Sequence, residues 1–521
     1  AYRIDASAER GDGWVDRGKH SSQGLTGALQ WQFLPRWQLQ LSHAEGRRKP
    51  MRYFGVPLID GKPLEALRRT NYNVQDARIT FRDHWSELTL QGSPSDNIAV
   101  RSRLYHIRSN RLWFDAENYT WDAARQQIRL AGDTAIRHHQ KQTGNTTDVT
   151  FDSKLLGMDN TISAGFDLNH SSLQHDNNTY SGNPRYVSLL SPETGFFDSD
   201  LPFIPRYRNT ADQYALFVED RLAVTEQLSL VAGLRHDRVK GKAASMNNGR
   251  VTTGLDRSDG ATSASLGAVY EISPLLRPYV NVSRAFRAAD LRERYQSGPR
   301  SDGFYYAGSP KISPETATQI ELGLKGRDER LEYTVSVYRS RINDYITGME
   351  LTGQAAVAAC GQVNAAACKQ NLNLGHVTLT GADAGLRWQA MADHWLRASG
   401  SMVRGENDDL NEPLFQMPAD RLALGWDWRL NGQWMLDADW TLVKRQKRVA
   451  TRFTRGGEDP TPGYALVDVG ATWQFAPQQS VRLAVRNMGD KRYHDHLAEG
   501  LTGRELLAPG RSLLVTWQGS F

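Results

Sequence analysis

Alternation of apolar and polar residues recurs along the whole 521-residue chain, and no other feature restricts its fold so tightly. In Thr262–Ile272, residues Thr262, Ala264, Leu266, Ala268, Tyr270 and Ile272 share one face, and Ser263, Ser265, Gly267, Val269 and Glu271 share the other. Leu228, Leu230, Ala232 and Leu234 alternate in the same way, as do Leu331, Tyr333, Val335 and Val337. A β-strand turns successive side chains to opposite faces, so one face of each segment suits lipid and the other suits water. The links between segments alternate too, short then long. Leu34–Arg36, Val224–Glu226, Ser273–Leu275, Arg327–Glu329, Met391–His394, Leu430–Gly432 and Ala476–Gln478 are short. Gly46–Tyr72, Ser172–Thr210, Gly241–Gly260, Ala285–Pro314, Thr347–His376 and Gly489–Pro509 are long. A soluble sandwich gives no reason for that asymmetry, whereas a membrane barrel has tight periplasmic turns and long outer loops. The expected fold is therefore all-β: a transmembrane antiparallel β-barrel of about 22 strands, even-numbered as single-chain barrels are, with long extracellular loops and short periplasmic turns.

Composition fits this reading and excludes others. Hydrophobic residues make up only 39% and the mean hydropathy is −0.57, yet there are 14 Trp, 19 Tyr and 16 Phe. A barrel with a polar lumen buries no large apolar core and gathers aromatics in girdles at the two interfaces. No apolar run reaches eighteen residues, which excludes a transmembrane helix. With 63 basic against 58 acidic residues the net charge is +5 and no basic run forms, so nucleic acid is not an expected partner. Cys360 and Cys368, the only cysteines, lie close together in a predicted external loop and suit one local disulfide in an oxidising compartment. No secretory signal opens the chain, and Ala1–Tyr2 runs directly into alternating sequence. At the other end, Leu513, Val515, Trp517 and Phe521 share the face of a last strand that closes on an aromatic residue.

Several stretches resemble the TonB-dependent outer-membrane receptors. Gln213–Leu222 followed by Leu228–Asp237 looks like that family's paired mid-barrel strands, and Tyr279–Tyr295 resembles its strand leading into a large external loop. Ile312–Lys325 is similar to the partner strand, and Val485–Tyr493 with Pro509–Trp517 to the closing strands. The resemblance implies a Gram-negative outer-membrane importer of a scarce ligand, with a ferric siderophore first among cargoes. It implies energy from the TonB–ExbB–ExbD complex, contact with membrane lipid and lipopolysaccharide, a monomer, and no cofactor. The family's plug domain and TonB box should precede the first strand, but Ala1–Arg10 already reads as that strand. Residues 1–521 are thus expected to be the barrel domain, with the plug outside this chain.

Specific capture then falls to the loops and upper lumen. Ferric siderophores are rigid, often anionic, and carry aromatic or amide surfaces, so a pocket for one combines Arg or Lys with stacking rings. Ala285–Pro314 offers this mixture in Phe286, Arg287, Arg292, Arg294, Tyr295, Arg300, Phe304, Tyr305 and Tyr306. Against this, Arg287 and Arg294 can pair with Asp290 and Glu293 or meet lipopolysaccharide phosphates. Two other loops compete: Gly46–Tyr72 with Met51, Arg52, Tyr53 and Phe54, and Ser172–Thr210 with Tyr180, Tyr186, Phe196, Phe197, Phe203 and Tyr207. Loop self-packing is the alternative for their rings. No metal site is expected, since the tight His groups are His138-His139 and His494-Asp495-His496 and no dense Met/His loop accompanies them. The chain carries no G-x-S-x-G, H-E-x-x-H or phosphate-binding glycine loop, so it is not expected to be an enzyme, although a Ser/His pair using Ser401 or His170 is a formal alternative. Heme, cobalamin or copper/zinc import is the second reading, and a passive porin or adhesion barrel the third.

Overall fold

The computed structural model describes residues 1–178, 184–199, 202–247, 250–290, 293–294, 297–299, 304–309, 311–451, 458–498 and 504–520. They form one 24-stranded sheet and a small accessory sheet. Arg185–Val187, Gly298–Pro299, Tyr305–Ala307 and Glu412–Pro413 are short pieces within loops. The other twenty strands have eight residues or more and pair antiparallel in chain order, from Tyr2–Gly11 to Ser512–Gly519. Among the described residues no pairing joins the last of these to the first. Twenty is two fewer than the link rule gives.

Every predicted short link is a tight turn at one rim. Among the long links, Gly241–Gly260 is corrected: strands Leu228–Asn247 and Arg250–Tyr270 continue through it, paired as far as Asn247 and Arg250. Above the bilayer a strand needs no apolar face, so the sequence signal fades while the backbone pairing continues. Length makes the same point. A strand crosses the membrane in about 9–11 residues, whereas Ile98–Asp122 has 25 residues and Gln127–Leu155 has 29. Their upper halves therefore stand outside the bilayer.

The register separates the two faces. Leu25, Leu41, Leu88, Leu104, Leu168, Leu216, Leu234 and Leu266 are exposed and point outward as a lipid-facing band. Near the short turns, Trp434 stacks on Trp473 at 5.8 Å, and His394 stacks with Trp426 and Trp428, forming part of an interfacial girdle. The opposite face carries ion pairs. Arg397 reaches Asp427 at 2.7 Å and Asp439 at 3.0 Å, and Arg235 reaches Asp237 at 2.8 Å. Among the described residues no helix is long and apolar enough to cross a membrane.

Candidate ligand-capture site at the outer mouth

Residues 50–77 do not hang free above the barrel. Tyr72 is completely buried with Tyr119, Ile128, Leu130 and Val187, against which Phe54 and Trp121 pack. Tyr53 joins a second cluster with Val15, Val56 and Leu67, edge-on to Trp14 at 5.2 Å. The backbone is held by buried amides and a guanidinium. The Arg17 guanidinium donates to the carbonyls of Asn71 and Asn73, and the Asn73 side-chain oxygen accepts from the backbone N–H groups of Val74 and Ala116. Burial pushes the Tyr53 and Tyr72 phenols well above the ordinary tyrosine range, so both remain neutral. Tyr72 donates to the Leu189 carbonyl at 2.5 Å, whereas the buried Tyr53 hydroxyl has no partner among the described residues. Phe197 meets Phe114 edge-on at 5.3 Å. For Tyr53, Phe54 and Phe197, ring packing within the loops is what the geometry displays.

A second assembly is built differently. Cys360 and Cys368 form the expected disulfide, which closes the short helix Gly353–Cys360 onto the top of strand Cys368–Met391. Tyr305–Ala307 adds to that strand in parallel, with Tyr305 opposite Cys368 and Tyr306 opposite Lys369. The Lys369 ammonium is buried 3.8 Å from the centre of the Phe304 ring and 5.7 Å from that of Tyr306. Contacts at such distances are favourable by about 2 kcal/mol when desolvated. Gln370 and Asn371 side chains donate to the Gly308 and Glu293 carbonyls, fastening these two residues to the same strand. Arg287 makes a bidentate pair with Glu315 at 2.7 and 2.8 Å and also donates to Glu293 at 3.1 Å. Arg294 is buried against Asp259 at 2.8 Å. Arg287 thus meets Glu293 as expected, whereas Arg294 pairs with neither Asp290 nor Glu293 but with Asp259 on strand Arg250–Tyr270. Phe304, Tyr305 and Tyr306 are brought together; Tyr180, Arg292, Tyr295, Arg300 and Phe521 lie outside the described residues.

The inner wall carries a feature that no single segment announces. Phe81, Trp113, His138, His175 and Tyr207 belong to five consecutive strands, and their register places them on the lumen face. Neighbouring ring centres are 5.3, 5.1, 4.9 and 4.4 Å apart in that order, the last pair nearly parallel at 8°. The His138 Nε2 and His175 Nδ1 atoms are 2.7 Å apart, so one imidazole donates to the other. Arg111 lies over the Phe81 ring at 5.1 Å. The result is a cross-strand row of π faces with a cation at one end. His138-His139 is visible in the sequence, but neighbours point to opposite faces, and the partner of His138 lies 37 residues away. His494 and His496 diverge: the first meets Glu505 at 2.7 Å and the buried second meets Glu458 at 2.9 Å.

Comparison with known proteins agrees with this architecture. A family described as "TonB dependent receptor-like, beta-barrel" matches residues 51–488. The chain is 25% identical over 285 residues to the iron-regulated outer membrane virulence protein of Vibrio cholerae, covering 54% of this chain and 41% of that protein. It is 22% identical to the metal-pseudopaline receptor CntO of Pseudomonas aeruginosa, over 95% of this chain and 68% of that receptor. In fold it matches the siderophore receptor PiuA of Acinetobacter baumannii with a TM-score of 0.81 and 14% identity, over 99% of this chain and 77% of that one. The chain thus spans less than half the length of the first of these relatives.

Proposed function

Since the chain belongs to the TonB-dependent receptor β-barrel family, whose members are outer-membrane transport receptors and not enzymes, we propose that it captures a ferric siderophore at its outer mouth and passes it to the periplasm with energy from TonB. The observation that carries this reading is the inward row Phe81, Trp113, His138, His175 and Tyr207. Flat catechol, phenol or amide surfaces of a rigid chelate stack on such a row, and a negative charge on the chelate is met by Arg111. Tyr305 and Tyr306 on the disulfide-stapled loop are further proposed contacts, with Phe304, held over Lys369, and Arg287, held by Glu315, as their supports. Tyr53, Phe54, Phe197 and Tyr295 complete the proposed contact set.

The TonB–ExbB–ExbD complex acts through the plug that this domain surrounds, and the barrel works as a monomer. Outward-facing Arg47, Arg82, Arg108, Lys141, Arg238 and Lys240 lie just above the leucine band, where lipopolysaccharide phosphates are found. One observation favours a second cargo class: the contact between the His138 and His175 imidazoles suits a metal centre with an open coordination position, as in heme or a copper or zinc ion.

Tryptophan fluorescence of the detergent-solubilised receptor with its plug separates these readings. Titration with ferric and iron-free siderophores, heme, cobalamin and Cu2+ should give tight quenching by one ferric chelate, weakened at least about tenfold in Tyr207→Ala and in Tyr305→Ala. A preference for heme or Cu2+, abolished in His138→Ala, selects the second reading.

A further inference from the structure

His43 and Glu45 are two residues apart on strand Trp37–Lys49, so they share a face. On the adjacent strand, Arg78–Ser95, Ser86 stands opposite His43 and His84 opposite Glu45. This is the outward face, because the next rung toward the membrane pairs Leu41 with Leu88 in the lipid-facing band. We infer that His43, Glu45 and His84 form a binding site for a first-row divalent transition cation, of the Zn2+, Cu2+ or Ni2+ kind, on the outer wall at the membrane boundary.

Three observations support it. One donor atom from each residue lies within 4.8 Å of the other two. Glu45 Oε1 is 3.4 Å from His43 Nε2 and 3.3 Å from His84 Nδ1, separations that a single ion can bridge. The second nitrogen of His43, Nδ1, is 2.8 Å from the Ser86 hydroxyl. A proton on Nδ1 donated to Ser86 leaves the Nε2 lone pair directed at the site, the outer-shell arrangement that orients metal-binding imidazoles. Two imidazole nitrogens and one carboxylate oxygen also define the chemistry. Calcium and magnesium demand six or more oxygen ligands, whereas two nitrogens favour the later transition ions. The exposed side stays open for water or for a phosphate of the surrounding outer leaflet.

Opposing charges are close and set an upper limit on affinity. Arg47 and Arg82 pair on the rung above, and Arg108 and His106 stand opposite His84 and Ser86 on the far strand. Leu25 and Gly27, on the near strand, add no charge. The inference is independent of cargo, since these side chains face away from the lumen.

Isothermal titration of the purified full chain in detergent with ZnCl2, NiCl2, CaCl2 and MgCl2 tests the site. The expected result is binding of Zn2+ and Ni2+ that is lost in the double variant His43→Ala, His84→Ala and weakened at least about tenfold in Glu45→Gln, without a response to Ca2+ or Mg2+. His43 and Glu45 are exposed and His84 is half-buried, so folding is expected to persist, and far-ultraviolet circular dichroism of each variant checks this. A Zn2+ isotherm unchanged in the double variant would put the metal elsewhere and overturn the inference. Equal binding of Ca2+, or no heat with any transition ion, overturns it as well.

Discussion

The two assemblies at the mouth achieve order by opposite means. Residues 50–77 are held by a true apolar core, with Tyr72, Tyr119, Ile128, Leu67 and Val56 all at or below 1% exposure. The assembly around residues 288–314 and 352–367 buries mostly small side chains, Ala307, Ala356, Cys360 and Cys368. It relies on a disulfide, a lysine between rings, side-chain amides and the Arg287–Glu315 pair. A loop long enough to fold back on the barrel can exclude water with aromatic rings. An alanine-rich loop lacks that apolar area and is held by a covalent bond and directional contacts instead. The first kind of order resists chemistry and fails with loss of volume. The second resists loss of volume and fails with a single reduction.

Truncating a ring in the apolar assembly should have the largest effect. Tyr72→Ala removes a fully buried aromatic ring and its hydrogen bond to Leu189. It should destabilise the 50–77 loop by about 3–5 kcal/mol, read as faster amide exchange at Asn73 and Ala116 while the membrane strands stay protected. Cys360→Ser, or reduction, should cost the other assembly about 2.5 kcal/mol. Exchange should rise over residues 353–367 and 305–307 and leave residues 71–77 unchanged. If Cys360→Ser loosens both assemblies equally, they form one cooperative unit and the contrast between them fails.

How far the sequence foretells these regions follows the same physical division. Strands inside the bilayer were legible because lipid on one side and water on the other impose alternation, as at Leu228–Leu234. The disulfide was legible because two cysteines stand alone in one loop. Strand beyond the bilayer was not: residues 241–247 and 250–260 read as a loop although their strands pair, because no lipid imposes a pattern there. Side-chain sites assembled across strands were not legible either. His138 and His175, or Glu45 and His84, become neighbours through register, which sequence leaves open by whole two-residue steps without changing the pattern of faces. Arginines were read as candidate ligand contacts by residue type, but Arg287 and Arg294 are each committed to a carboxylate that type alone does not locate.

Acidity should separate the assemblies by the smallest margin, through Asp115. This residue sits on the upper, extramembrane part of strand Ile98–Asp122, beneath residues 71–77. It is fully buried, and neither carboxylate oxygen has a hydrogen-bond partner among the described residues. Burial, with Glu117 and Asp133 nearby, raises its pKa from 3.8 to about 8. The folded loop therefore holds a proton that the opened loop releases, so this contribution is complete below about pH 4 and is lost as pH rises toward 8. Near the folded pKa the slope is gentle. Lowering the pH from about 8 to about 7 should stabilise residues 71–77 by about 1 kcal/mol, measured by amide exchange corrected for its intrinsic pH dependence. Asp115→Asn keeps the shape without the titration and should flatten the profile, while the disulfide-stapled assembly should be indifferent to the substitution. An unchanged profile in Asp115→Asn would mean that another group controls the pH response, and the core beneath residues 71–77 would then accommodate a charged Asp115.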